Sequence, residues 1–312
     1  MSTRQPILVT GAAGQVGGIG GLVVSILLGR QVPVRAFVRR DDDRADALRR
    51  AGAEVFVGDL TRTEDIARAL DTCRRVYFGM SVSSSYLEAA VGMGAAAREK
   101  GDVEVLVNMS QMTVSQMSLR NMTDSRQQRQ HWLAEQALNW SGLPVVHVRP
   151  TVFQENFFFW AWAAEQIARD GTVRLPFGSG RTSPVATKDV AEVVASVLLD
   201  PLQHVGKIYE LTGPRSQDLY ALAGEYSAAL GRSVAYIEVP LDEWRDQELR
   251  GRGLPEHVFD HFLTMAHLHA ANRYDRLSPQ IEAILARPPR SLEAMVQENR
   301  EMFSAGWDLG RG

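Results

Sequence analysis

The chain has 312 residues, 45% of them hydrophobic, with 34 Lys and Arg against 37 Asp and Glu and a net charge of −3. That is enough apolar material for one large or two small cored domains, and the slight acidity argues against a nucleic-acid partner. The single cysteine, Cys73, excludes an internal disulfide framework and fits a reducing compartment. No run approaches the roughly 20 apolar residues of a membrane span, and no apolar leader precedes the first strand pattern, so a cytoplasmic protein without membrane contact is expected.

Ile7 to Thr10 reads as a short buried strand. A glycine-rich turn, Gly11 to Gly21, leads into the apolar helix Leu22 to Leu28. Pro33–Val38, Glu54–Val57, Arg75–Phe78, Val103–Val107 and Val145–Val148 read as further strands. Between them lie helical patterns over Asp43–Arg50, Ile66–Leu70, Tyr86–Lys100 and Asp124–Trp140. Short apolar strands alternating with helices imply βαβ crossovers and a parallel sheet covered on both faces, a doubly wound α/β (Rossmann) fold. Beyond Pro150 the pattern changes to helices over Asn156–Arg169, Thr187–Leu199, Leu219–Leu230, Leu241–Glu248 and Ser291–Phe303. Strand patterns occur there at Lys207–Leu211 and Val234–Val239, the first expected to return to the main sheet. The expected organisation is therefore a dinucleotide-binding domain over 1–153 and a smaller α+β substrate lobe over 154–312.

Strand, glycine turn and helix together form a phosphate-binding fingerprint. Glycines let the backbone approach a pyrophosphate, whose charge meets the free N–H groups of the helix N-terminus. Gly11, Ala13, Gly14, Gln15, Val16 and Gly17 are the expected phosphate-side residues. Measured from the strand the register is Gly11-x-x-Gly14-x-x-Gly17; measured back from the helix it is Gly14-x-x-Gly17-x-x-Gly20. The loop is thus about three residues longer than a minimal one. Strand two ends in Arg39-Arg40, where an acidic residue would bind the ribose hydroxyls of NAD. A guanidinium instead offers a planar donor fork for a 2′-phosphate, which favours NADP(H) over NAD(H). The alternative is a solvated basic pair neutralised by Asp41-Asp42-Asp43. Asp59-Leu60 after strand three can face the adenine amino group, or Asp59 can cap the next helix.

In this order the residues resemble the NmrA-like group of atypical short-chain dehydrogenase/reductases. The pieces are Val9 to Gly14, Val38-Arg39, Val57 to Leu60, Asn108-Met109-Ser110, His131 to Glu135, Ser141 to Pro144, Arg149 to Phe157, Asp189-Val190-Ala191, Tyr209 to Pro214 and Arg287 to Leu292. The resemblance implies a Rossmann domain binding NAD(P)H, with Pro150, Thr151 and Phe153 on the cofactor side. It also implies a C-terminal lobe shaping a pocket for a small-molecule substrate. Such proteins include quinone reductases, reductases of aromatic metabolites and redox sensors that turn nothing over, so cofactor class follows more firmly than activity.

The wider superfamily carries a Tyr-x-x-x-Lys pair, the tyrosine giving a proton and the lysine holding the nicotinamide ribose. Here Gln127 takes the tyrosine position and His131 the lysine position. Glutamine cannot give up a proton, whereas His131 can bond a ribose or act as general acid. Ser110 ends strand five on the carboxyl edge where such sheets bind ligands, and Met80-Ser81 follows strand four on the same edge. Phe157 to Trp162 holds five aromatics in six residues, which suits a planar substrate or packing within the lobe. Asn156, Phe157 and Trp160 are the expected substrate contacts, with an N-cap role as the alternative for Asn156. His257 and His261 are four apart without a third ligand, so no metal is expected, and Cys73 is expected in a surface turn. The reading is an NAD(P)H-dependent oxidoreductase acting on a planar carbonyl, enone or quinone. The alternatives are a non-catalytic NADP(H) sensor and a non-reductive isomerase or epimerase; a homodimer is compatible with either.

Overall fold

The computed structural model describes residues 5–14, 18–123 and 125–304. Nine strands and twelve α-helices occur among them. The first six strands are β1 (Ile7–Val9), β2 (Val34–Val38), β3 (Glu54–Val57), β4 (Arg75–Phe78), β5 (Val105–Met109) and β6 (Val145–Pro150). They alternate with α1 (Ile19–Gly29), α2 (Asp43–Arg50), α3 (Thr63–Leu70), α4 (Tyr86–Lys100) and α5 (Arg126–Trp140). Then follow α6 (Ala163–Asp170), β7 (Thr172–Leu175), α7 (Thr187–Leu199), β8 (Ile208–Leu211), α8 (Leu219–Leu230) and β9 (Ala235–Glu238). The chain closes with α9 (Leu241–Glu243), α10 (Glu256–Ala270), α11 (Gln280–Leu285) and α12 (Leu292–Glu298).

One seven-stranded sheet has the order β3-β2-β1-β4-β5-β6-β8, and a two-stranded parallel sheet pairs β7 with β9. Strands β1 to β6 are parallel throughout. The His147 N–H donates to the Lys207 carbonyl and the Thr151 N–H to the Leu211 carbonyl. Both partners advance by four, so β8 is parallel as well. This is the doubly wound α/β architecture expected from the sequence. Strand β5 runs two residues later than its apolar run suggests, because its register with β4 begins at Arg75 opposite Val105. Asn108 and Met109 therefore lie in the strand and Ser110 is the first residue beyond it.

The chain forms two compact units, residues 1–150 with 190–210 and residues 151–189 with 211–312. The first has a core that includes Leu8, Phe37, Val76, Phe78, Tyr86 and Leu106. The second has its own, with Phe158, Phe159, Trp162, Phe177 and Trp244 at its centre. Local chemistry sets the helix ends. Asp42 accepts the Arg44 N–H and caps α2, whose Asp43 and Asp46 open and Arg49 and Arg50 close it, in the sense its dipole favours. Ser125 caps α5 by accepting the Gln128 N–H, so that helix starts later than Asp124, which lies outside the described residues. Cys73 is no surface residue: it is fully buried in the first core, and burial pushes its thiol up to about 11.

Candidate functional site

Because strands β1 to β6 are parallel, their carboxyl ends share one edge, where a doubly wound sheet opens its ligand crevice. Gly11 follows β1, Arg39 β2, Asp59 β3, Met80 β4 and Ser110 β5, while Pro150 ends β6. The sequence candidates of the first unit are thus gathered by topology.

The glycine turn is locked to the β4 end. The Thr10 hydroxyl donates to the Gly79 carbonyl at 2.8 Å and accepts the Gly79 N–H at 2.9 Å. Gly11 has φ +66°, and a β-carbon there would lie 2.7 Å from the Gly79 oxygen, so both conformation and space demand glycine. The Gly14 N–H donates to the Gly11 carbonyl at 3.1 Å. Helix α1 then starts at Ile19, and a β-carbon on Gly20 would meet the Gly11 oxygen at 2.6 Å and the Thr10 oxygen at 2.8 Å. Gly20 therefore fills the close helix-to-turn contact made by the third glycine of the fingerprint. This decides the register: the helix-side glycine is Gly20, and the turn is three residues longer than the strand-side count. Gln15, Val16 and Gly17, expected on the phosphate side, lie outside the described residues.

At the β2 end, Arg39 and Arg40 are exposed. The aspartates beside them do not neutralise them: Asp41 and Asp46 pair with Arg49, and Asp42 pairs with Arg44. Neither Arg39 nor Arg40 has an ion pair within 4 Å among the described residues. Arg44, which the sequence gives no reason to single out, also donates to the Ala13 carbonyl at 3.2 Å, tying α2 to the glycine turn. Asp59 does not cap α3, whose cap position is held by Arg62. Its Oδ1 accepts the Thr61 N–H at 2.9 Å and hydroxyl at 2.8 Å. The Thr61 N–H first, then its hydroxyl, with Arg39 adding charge, hold the Asp59 carboxyl below the usual carboxylate range. Buried Asp65, another residue missed from sequence, accepts the Asp59 N–H at 2.9 Å and pairs with Arg68. Leu60 and Met80 are half-buried and Ser81 exposed.

Ser110 is buried, its N–H bonded to the Val148 carbonyl at 2.8 Å. Its hydroxyl has no partner among the described residues. An unpaired buried hydroxyl costs about 1–3 kcal/mol, which a bound polar group would recover. One helix turn apart on α5, Gln127 and His131 meet at 3.1 Å between Nε2 atoms. The Gln127 Oε1 accepts the Ser83 N–H at 3.3 Å. The His131 ring packs on Tyr86 with centroids 4.0 Å apart, and the Tyr86 hydroxyl donates to the Met109 carbonyl at 3.0 Å.

The remaining candidates lie in the second unit. Thr151 is buried, its hydroxyl without a partner among the described residues, and Phe153 is half-buried and bridges to Val185. Asn156 does act as a cap: its Oδ1 accepts the Phe159 N–H at 3.0 Å. The aromatic run forms a π-turn over Phe158–Trp162 leading into α6, an irregularity frequent at functional sites. Phe158, Phe159 and Trp162 are fully buried. Phe157 stacks on Phe262 at 4.8 Å and 8°, and Trp160 meets Phe303 edge-on at 6.1 Å, both half-buried. The run thus splits into three core rings and two accessible ones.

The model of the NmrA-like family matches residues 3–296. The chain belongs to that family. It is 28% identical over 304 residues to an NAD(P)H azoreductase of Xenophilus azovorans, covering 96% of this chain and 99% of that protein. An NADPH-dependent quinone oxidoreductase of Escherichia coli, solved with NADPH, shares its fold with a TM-score of 0.81 at 22% identity, over 94% of this chain and 99% of that one. NmrA, a negative transcriptional regulator solved with NADP, matches at a TM-score of 0.81 and 15% identity, over 98% of this chain and 99% of that one. No helix among the described residues is long and apolar enough to cross a membrane.

Proposed function

We propose that the protein is an NADP(H)-dependent reductase of a planar, electron-poor small molecule, a quinone, enone or carbonyl. The observation that carries the cofactor choice is the free pair Arg39-Arg40 beside aspartates already held by Arg44 and Arg49. Two guanidinium forks with no ion pair within 4 Å among the described residues suit a 2′-phosphate. The unpaired Ser110 hydroxyl fits a bound nicotinamide ribose or substrate oxygen. The named azoreductase relative supports reduction as the reaction class.

When bound, NADPH supplies a hydride. The chain does the rest by binding and positioning. Gly11 and Gly14 would bring backbone up to the pyrophosphate, Arg39 and Arg40 would take the 2′-phosphate, and ionised Asp59 would offer its remaining oxygen to the adenine amino group. Ser110 would donate a hydrogen bond to an oxygen that gains negative charge. No phenol stands at residue 127, so a substrate whose reduced oxyanion is already stable, as in a quinone, fits the site better than a simple ketone. Asn156, Phe157 and Trp160 are carried as substrate contacts, Phe157 and Trp160 through their accessible rings.

The test is titration with NADPH and NADH by nucleotide fluorescence, followed by a quinone panel with oxidation read as loss of absorbance. Tight NADPH binding, weaker NADH binding and oxidation on adding a quinone are expected. Failure to bind either nucleotide would overturn the reading. A second reading, a sensor that binds NADP(H) without turnover, is favoured by Gln127 in the place of the proton-donating tyrosine; nucleotide binding with no oxidation by any acceptor would select it.

A further inference from the structure

Gln127 replaces the superfamily's tyrosine, yet it is neither solvated nor idle. Its carboxamide is buried between two partners. A carboxamide oxygen only accepts and its nitrogen only donates. The Ser83 N–H points at one end, so that end must be Oε1; the opposite orientation would set two donors against each other. The other end is then the NH2 group, 3.1 Å from His131 Nε2. A donor there needs a lone pair opposite it. The imidazole Nε2 is therefore bare, and the ring's proton sits on Nδ1. The ring cannot turn away freely, because Tyr86 lies against it at 4.0 Å and is itself tied to the Met109 carbonyl. Three segments, the turn at Ser83, the start of α4 and the first turns of α5, thus converge on one ring.

We infer that Gln127 is a positioning residue that fixes the His131 tautomer with the proton on Nδ1, so that His131 does not act as an acid through Nε2. This rests on the reductase reading for its use, although not for its geometry. Protonating Nε2 would place N–H against the Gln127 NH2 and cost that hydrogen bond; turning the amide would instead lose the bond from Ser83. Either route costs a hydrogen bond that the tautomer protonated at Nδ1 keeps. The replacement of tyrosine by glutamine then changes what the position does: it no longer gives a proton but decides which nitrogen of its helix neighbour can donate.

The experiment is long-range 1H–15N correlation NMR of 15N-histidine-labelled protein near neutral pH, on wild type, Gln127→Glu and Gln127→Leu, with His131 assigned by His131→Gln. The wild type is expected to show a protonated-type nitrogen at Nδ1 and a bare-type nitrogen at Nε2. Gln127→Glu presents an acceptor and is expected to move the proton to Nε2 or to charge the ring. Gln127→Leu removes the partner and is expected to give a tautomer mixture. A wild-type ring protonated at Nε2, or a Gln127→Glu spectrum identical to wild type in a variant with an unchanged melt, overturns the tautomer assignment. In steady-state kinetics with NADPH and a quinone, Gln127→Glu is expected to lower kcat at least tenfold with the KM for NADPH changed less than threefold. An unchanged kcat overturns the positioning role. A wild type that oxidises no NADPH sinks the reductase reading and this use of the ring, while the spectra still decide the tautomer by themselves.

Discussion

Substituting Gly20 by alanine tests whether the lengthened glycine turn is read correctly. In an exposed helix Gly→Ala gains about 1 kcal/mol of helix propensity. At Gly20 the added β-carbon would sit 2.6 Å from the Gly11 oxygen, 2.7 Å from the Gly11 carbonyl carbon and 2.8 Å from the Thr10 oxygen. All three are backbone atoms, so no side chain can rotate aside. Gly11 is itself closely packed, since a β-carbon built on it would lie 2.7 Å from the Gly79 oxygen. Overpacking costs about 1–3 kcal/mol, and three backbone contacts under 3.0 Å place this one in the upper part of that range, about 2–3 kcal/mol, which outweighs the propensity gain and leaves a net loss of about 1–2 kcal/mol. Gly29 is the internal control: it ends the same helix, and a β-carbon added there would meet nothing within 4 Å, so Gly29→Ala is expected to stabilise by about 0.5–1 kcal/mol. Urea melts of the two variants should move in opposite directions. Gly20→Ala should also weaken NADPH at least tenfold, about 1.4 kcal/mol, since the turn it displaces is the one proposed to face the pyrophosphate. If Gly20→Ala melts and binds NADPH like wild type, α1 does not pack on the turn through Gly20 and the strand-side register is the right one.

Arg39→Ala removes a charge-assisted donor worth about 1.5–3 kcal/mol, so calorimetry should show NADPH binding about 10–100-fold weaker with NADH unchanged; equal losses for both would refute 2′-phosphate recognition. Glu135 is fully buried and accepts Arg149 Nε at 2.9 Å and Nη2 at 2.5 Å; Glu135→Ala leaves that guanidinium only the more distant Glu210 at 3.9 Å and should cost about 3 kcal/mol, so an unmoved urea midpoint would contradict the pairing. Acid should destabilise the fold from about pH 6.5 downward. Burial holds His147 below its usual 6.5 and pushes His269 down to about 3. The unfolded chain therefore binds more protons in that window, and the stability these neutral rings contribute is complete above pH 6.5 and lost as pH falls. At about 1.4 kcal/mol per pH unit, the fall from 6.5 to about 3 makes His269 alone worth on the order of 5 kcal/mol by pH 3, and His269→Phe should flatten the pH dependence of the melt between pH 6.5 and pH 4; an undiminished slope would show that other groups carry it.

The first half of the fold was legible because strands buried on both faces must be apolar throughout, and helices between them must start and stop where Asp42, Ser125 and the glycines allow. Strand β7 was not: Thr172–Leu175 alternates polar and apolar, but four residues are too few to stand out beside α6, and the strand pairs only with β9. The carboxyl-edge candidates were legible for a related reason: a parallel sheet turns strand ends into one edge, so Arg39, Asp59 and Ser110 need only be read as the residues after strands. What a one-dimensional reading lacks is the competition for partners. Three aspartates beside two arginines look like neutralisation until α2 folds and gives Asp41 and Asp42 to Arg49 and Arg44. Gln127 and His131 look like a lost catalytic pair, and their spacing of four does show that they meet. Only the Ser83 N–H, 44 residues back along the chain, decides which end of the amide faces the ring. A single backbone donor thus turns an apparent loss of chemistry into a choice of tautomer, and no pattern within α5 could have carried that information.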